Sequence, residues 1–142
     1  MTPASMLKLF LLSVCVCTLC GCGNNGLAAV KGRVLLDGKP IENAAVMFQP
    51  ADGGVPATGI TDKNGEFSLS TTGQGEGAAL GKNGVTVVKS VNAQPNRKME
   101  EGEIVPMKME TPVRYASIQT SGITIEVKPR MEKVELQLTS GK

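Results

Sequence analysis

The sequence predicts an all-β fold, a single β-sandwich of about seven strands, on three observations. Apolar and polar residues alternate along short runs, so each run has one face for a core and one for water. Gly, Pro, Asn and Asp separate the runs and carry the turn chemistry of antiparallel connections. The runs are as numerous as a small sandwich needs.

In chain order, Val30, Gly32, Val34 and Leu36 share one face of the first strand. Asp37-Gly38 and then Lys39-Pro40 end it, because glycine accepts positive φ and proline cannot extend a hydrogen-bonded ladder. Ala44, Val46 and Phe48 line one face of the second strand, and residues 57–61 form a short third. Asp62-Lys63-Asn64-Gly65 turns the chain into a fourth strand with Phe67 and Leu69 inward. A glycine-rich connection over residues 73–84 leads to the inward pair Val85 and Val87. Residues 92–111 are the longest irregular stretch, with prolines, turn formers and a centre rich in Met, Glu and Lys. They read as a loop or, over 99–103, a helical turn. The last two strands alternate most clearly: Ile123, Ile125 and Val127 in one, Val134, Leu136 and Leu138 in the other.

Upstream of these strands, residues 9–19 are an apolar stretch preceded by a single cation, Lys8. The stretch is too short to span a bilayer and long enough for the apolar centre of a signal peptide. The Leu19-Cys20-Gly21-Cys22 that closes it resembles the lipobox of bacterial lipoproteins. That resemblance implies cleavage between Gly21 and Cys22 and a thioether from the Cys22 thiol to diacylglycerol. Gly21 is the small residue before the cut, and Leu19 stands three before the cysteine. Cys20 is a poorer acceptor, since Cys17 and Thr18 would then occupy the places of leucine and the small residue. The alternative is a plain secretory signal or a short buried apolar segment with incidental cysteines. The organisation that follows is a signal peptide over 1–21, a lipidated cysteine and tether over 22–27, and a β domain over 28–142.

All four cysteines (15, 17, 20 and 22) lie in or at the end of this leader, so the rest of the chain has neither a disulfide framework nor a cysteine metal site. Removing 21 of the 142 residues leaves enough chain for one ordinary domain. Lys8 is the only charge removed, which takes the formal charge from +2 to +1. That balance does not suggest nucleic acid or an electrostatic grip on anionic lipid. Attachment would fall to acyl chains, at about 0.8 kcal/mol per buried CH₂.

The runs Val30-Lys31-Gly32-Arg33-Val34 with Asp37-Gly38-Lys39-Pro40-Ile41, Ala44-Ala45-Val46-Met47-Phe48-Gln49-Pro50, and Thr61-Asp62-Lys63-Asn64-Gly65-Glu66-Phe67 resemble the carboxypeptidase regulatory-like, transthyretin-like β-sandwich. Pro112-Val113-Arg114-Tyr115 and Thr120-Ser121-Gly122-Ile123-Thr124 are similar to small planctomycete lipoproteins carrying that domain. The resemblance implies a seven-stranded Greek-key sandwich and no established activity. Lys82-Asn83-Gly84 stands before Val85 where the wider fold commonly has Gly-x-Tyr, leaving the start and register of this strand open.

Catalytic readings fail on missing residues. With no histidine in the chain, neither a Ser-His-Asp or Cys-His site nor a histidine zinc site can be built. Asp62-x-Asn64-Gly65 resembles the start of a calcium loop, but its glycine is fourth and Gly73 stands twelfth, where an EF-hand needs glycine sixth and glutamate twelfth. The glycines between Gly73 and Gly84 match neither a P-loop nor a dinucleotide fingerprint. The expected protein is therefore a noncatalytic, lipid-anchored envelope lipoprotein, without cofactor, metal or nucleic acid, acting as a structural or protein-interaction module. It would face the periplasm, and Gly23 in place of an inner-membrane-retaining Asp favours the outer membrane. Candidate contact residues are Met99, Met107 and Met109, as an adaptable surface, and Tyr115. The alternative is a small-ligand or glycan-binding lipoprotein using Tyr115 and the long loop.

Cys22→Ser is expected to abolish incorporation of a palmitate analogue and to slow processing, and Cys20→Ser to leave both intact. Label persisting on the Cys22→Ser protein would contradict the assignment.

Overall fold

The computed structural model describes residues 26–131 and 133–141. Among them are β1 (Leu27–Ala28), β2 (Lys31–Leu36), β3 (Lys39–Pro40), β4 (Ala45–Pro50), β5 (Ala57–Ile60), β6 (Glu66–Ser68) and β7 (Ser70–Thr71). There follow β8 (Gly75–Glu76), β9 (Ala78–Ala79), β10 (Gly81–Val88), β11 (Ser90–Asn92) and β12 (Met107–Met109). A 3-10 turn, η1 (Val113–Ala116), and a short helix, α1 (Ile118–Ser121), precede β13 (Thr124–Val127) and β14 (Val134–Leu138). The fold is mostly β, as expected. The strand count exceeds seven: each expected run is present, as β2, β4, β5, β6, β10, β13 or β14, and two- and three-residue ladders at turns and in the long loop make up the rest.

The strands form a six-stranded sheet in the order β13-β10-β4-β5-β7-β8 and a four-stranded sheet in which β2 pairs with β14, β3 and β6. Two small ladders, β1-β9 and β11-β12, complete the pairing. Every pair is antiparallel except β2 with β14, which sets Val134 beside Gly32 and Leu138 beside Leu36. The alternation places inward residues of both sheets in one core. Val46, Phe48, Val85, Val87 and Val127 come from the larger sheet, and Val34, Phe67, Leu136 and Leu138 from the smaller. Phe48 and Phe67 meet across the sheets with ring centroids 6.4 Å apart and planes tilted by 54°, the offset geometry that aromatic quadrupoles favour.

Buried polar groups are mostly satisfied locally, although Asn83 Oδ1 is buried without a hydrogen-bond partner. Thr61, buried, donates from its hydroxyl to the Ile41 carbonyl at 2.6 Å and accepts from the Ala44 N–H at 2.8 Å, joining the chain leaving β3 to the end of β5. Asn83, fully buried, donates its amide to the carbonyls of Ala79 and Gly81, both at 2.9 Å. Backbone pairing gives the register left open by the sequence: Lys82-Asn83-Gly84 lie within β10, opposite Glu126, Ile125 and Thr124 of β13. Gly84 is required here by close approach, since a Cβ would sit 2.7 Å from a methyl of Ile118, which α1 lays across the sheet.

Strand directions divide the loops between two ends. β10 starts beside the β1-β9 ladder, and the loop after β4 and the connection from β13 to β14 lie at the same end. The β2-β3 turn, the chain entering β4, the start of β11 and the end of β14 lie at the other. The eight residues of β10 separate the two ends by roughly 26 Å, at about 3.3 Å per residue.

Ile123 and Ile125 are half-buried at the core's margin, whereas Leu136 is 2 % exposed, so β14 is the more sensitive strand. Leu136→Asp, which buries an unpaired charge, is expected to cost about 3 kcal/mol or more, enough to unfold a marginal domain. Gln137→Lys, on the exposed face, should shift stability by no more than about 0.5 kcal/mol. Thermal or urea unfolding of the two variants checks the register, and equal midpoints would contradict it.

Candidate functional site

At the end opposite Leu27, the stretch expected to be irregular is a hairpin arm. β11 and β12 pair as Ser90 with Met109 and Asn92 with Met107, and the Ala93 N–H extends the ladder to the Pro106 carbonyl at 2.8 Å. No helix forms over 99–103; a turn closes there instead, with the Glu103 N–H donating to the Glu100 carbonyl at 3.1 Å. An Arg97–Glu103 ion pair at 2.8 Å crosses the arm. Ile104 stands almost fully in water at 89 % exposure, with Met107 and Val105 also exposed. An apolar side chain that open contributes nothing to the core, so the arm's crest is apolar surface available to something else.

The methionines read as a candidate surface differ in exposure. Met107 is exposed, while Met99 and Met109 are half-buried, and Met109 borders an open groove of about 710 Å³ at the foot of the arm. That groove lies between β3 and β12 and has Leu36, Pro40 and Ile41 among its lining residues. Four lysines reach it, Lys39, Lys63, Lys89 and Lys108, from four separate parts of the chain.

Tyr115 is placed differently from the contact role expected. It sits in η1 with only 7 % of its surface exposed and belongs to the core. Its hydroxyl accepts from the Thr139 N–H and from Arg114 Nη2, each at 3.1 Å. The Arg114 guanidinium lies over the Tyr115 ring, 4.7 Å from its centroid, and also holds Thr139 Oγ1 at 2.7 Å and the Thr139 and Gly141 carbonyls. Burial alone would raise the Tyr115 hydroxyl, but the bonds from Thr139 and Arg114 outweigh it and hold the group below the ordinary tyrosine value. The residue thus clasps the C-terminal segment and offers no free ring to a sugar.

The same segment is held a second time. Asp37 accepts from the Ser140 N–H at 2.9 Å through one oxygen and from the Ser140 hydroxyl at 2.5 Å through the other. Those two bonds, with smaller help from Arg114 and Lys39, lower the Asp37 carboxyl below the ordinary aspartate range. Asp62 likewise serves the backbone, one carboxylate oxygen accepting from the N–H groups of Asn64 (2.8 Å) and Glu66 (2.9 Å) to close the turn into β6. Among the described residues no group of three or more His, Cys, Asp or Glu is placed to hold a metal ion. Nor is any helix there long and apolar enough to cross a membrane. Gly21 and Cys22 lie outside the described residues.

Comparison of the chain with protein-family models, with curated proteins and with solved structures found no match.

The Asp37–Ser140 contact carries a pH dependence of known sign. A carboxyl whose folded value is lowered stabilises the docked segment above the ordinary aspartate value and loses that effect as pH falls through the lowered one. In an amide NMR titration, the Ser140 resonance should therefore move with a midpoint below the ordinary aspartate range. Asp37→Ala should remove the transition, and a Ser140 amide that ignores both changes would contradict the contact.

Proposed function

We propose that this chain is a noncatalytic envelope lipoprotein, anchored by lipid on Cys22, whose β domain is a transthyretin-like Greek-key sandwich acting as a protein-interaction module. The observation that carries the interaction reading is the arm built from β11 and β12, which lifts Ile104, Val105 and Met107 into water at the end opposite Leu27. The ladder and the Arg97–Glu103 pair hold the arm in shape, which reduces the ordering cost of binding. The anchor reading rests on Leu19-Cys20-Gly21-Cys22 after the apolar residues 9–19. A tether leaving the β1 end would point the arm away from the membrane that holds the protein, toward partners in the envelope space. The polar groups with reactive side chains, Asp37, Asp62 and Tyr115, are engaged in holding the chain together. A sugar-stacking role finds no support where the aromatic rings are buried.

Replacing residues 94–105 by an Asn-Gly turn, with Met107→Ser, keeps Ala93 opposite Pro106 and removes the crest. The variant should retain the wild-type thermal midpoint within a few degrees and lose the envelope proteins recovered by crosslinking with the intact lipoprotein. An unchanged set of crosslinked partners would remove the arm from the account.

A further inference from the structure

We propose that the groove between β3 and β12 binds an acidic, extended protein segment through Lys39, Lys63 and Lys108. The proposal rests on the reading of the domain as an interaction module and names the chemistry of its partner. The three lysines lie far apart in the sequence and come from β3, from the turn that Asp62 closes, and from β12. All three are exposed, and among the described residues none takes part in an ion pair. The groove's other charges are largely used within the protein. Lys89 pairs with Glu110 at 2.7 Å, and both oxygens of Asp37 are taken by Ser140. Asp37 stays anionic against the neutral Ser140, so with Glu42 it leaves three ammonium groups outside any ion pair facing two acids. The groove lining therefore carries a small net positive charge.

The floor decides what kind of anion fits. Leu36, Pro40 and Met109 present aliphatic surface, and methionine adapts to irregular apolar side chains. An acidic glycan would bring carboxylates but would want an aromatic face beneath its rings, and Phe48, Phe67 and Tyr115 are all buried. A peptide in which carboxylates alternate with aliphatic side chains satisfies both the lysines and the floor.

The test uses the full-length lipoprotein in nonionic detergent and a fluorescein-labelled peptide of alternating Glu and Leu, followed by anisotropy. Saturable binding is expected, weakened by roughly tenfold or more in the Lys39→Glu, Lys63→Glu, Lys108→Glu protein. It should weaken likewise in about 0.5 M salt, where screening is strong. The Lys→Gln triple variant should show the same direction of loss, which separates binding from any effect of charge reversal on folding. Lys82→Glu with Lys128→Glu, at the other end of the sheets, should bind as wild type. Absence of saturable binding, equal binding by the triple variants or by the Gln-Leu peptide, or preference for polygalacturonate would each overturn the proposal. Envelope partners crosslinked by wild type and triple variant alike would overturn the groove and retain the module. No partner recovered with any variant would overturn the module itself.

Discussion

The parallel pairing of β14 with β2 is the constraint on which the rest depends. β2 is the first long strand and β14 the last, so their ladder joins the two ends of the domain and closes the smaller sheet. It brings Leu136 and Leu138 against Val34 in the core, each side chain contributing about 1.5–3 kcal/mol by leaving water. It also carries Thr139 and Ser140 to the places where Tyr115, Arg114 and Asp37 can hold them. Without it the core would lose Leu136 and Leu138, and Tyr115 and Arg114 would lose Thr139 as a partner.

Much of this was legible in the sequence because burial leaves a period of two. Ala44, Val46, Phe48, Val85, Val87, Leu136 and Leu138 were read as inward from alternation alone, and all are buried. Asp62-Lys63-Asn64-Gly65 was read as a turn, and Asp62 caps it through two backbone N–H groups. What alternation does not encode is the partner of a strand. It cannot say that β14 lies parallel to β2, nor that residues 92–111 fold back on themselves through β11 and β12, since pairs of three residues carry too little pattern. The strap of η1 and α1 was missed for a related reason: eight helical residues in two pieces are too few for a helical period. Its boundaries left a signal, Pro112 before it and Gly122 after it in the left-handed conformation with φ 65°, the usual asymmetry of helix ends.

The contact residues were only partly legible. The sequence offers Tyr115 as a contact residue, and its neighbour Arg114 decides for packing by engaging both the ring and the C-terminal carbonyls. Net charge hid the lysine groove altogether, because Lys39, Lys63, Lys89 and Lys108 are scattered in sequence and converge only when β2-β3, the Asp62 turn and β12 meet at one end. The two ends of the domain thus differ in kind: one receives the chain from its N-terminus, and the other gathers an apolar crest and a cationic groove.

Native-state hydrogen exchange tests the closing ladder most directly. Amides of β14 bonded to β2 should exchange as slowly as those shared by β4 and β10, with a common opening free energy, while the arm beyond Ala93 exchanges fastest. Protection in β4 and β10 with β14 exchanging as fast as the arm would show that the domain folds without this pairing, and would contradict the account.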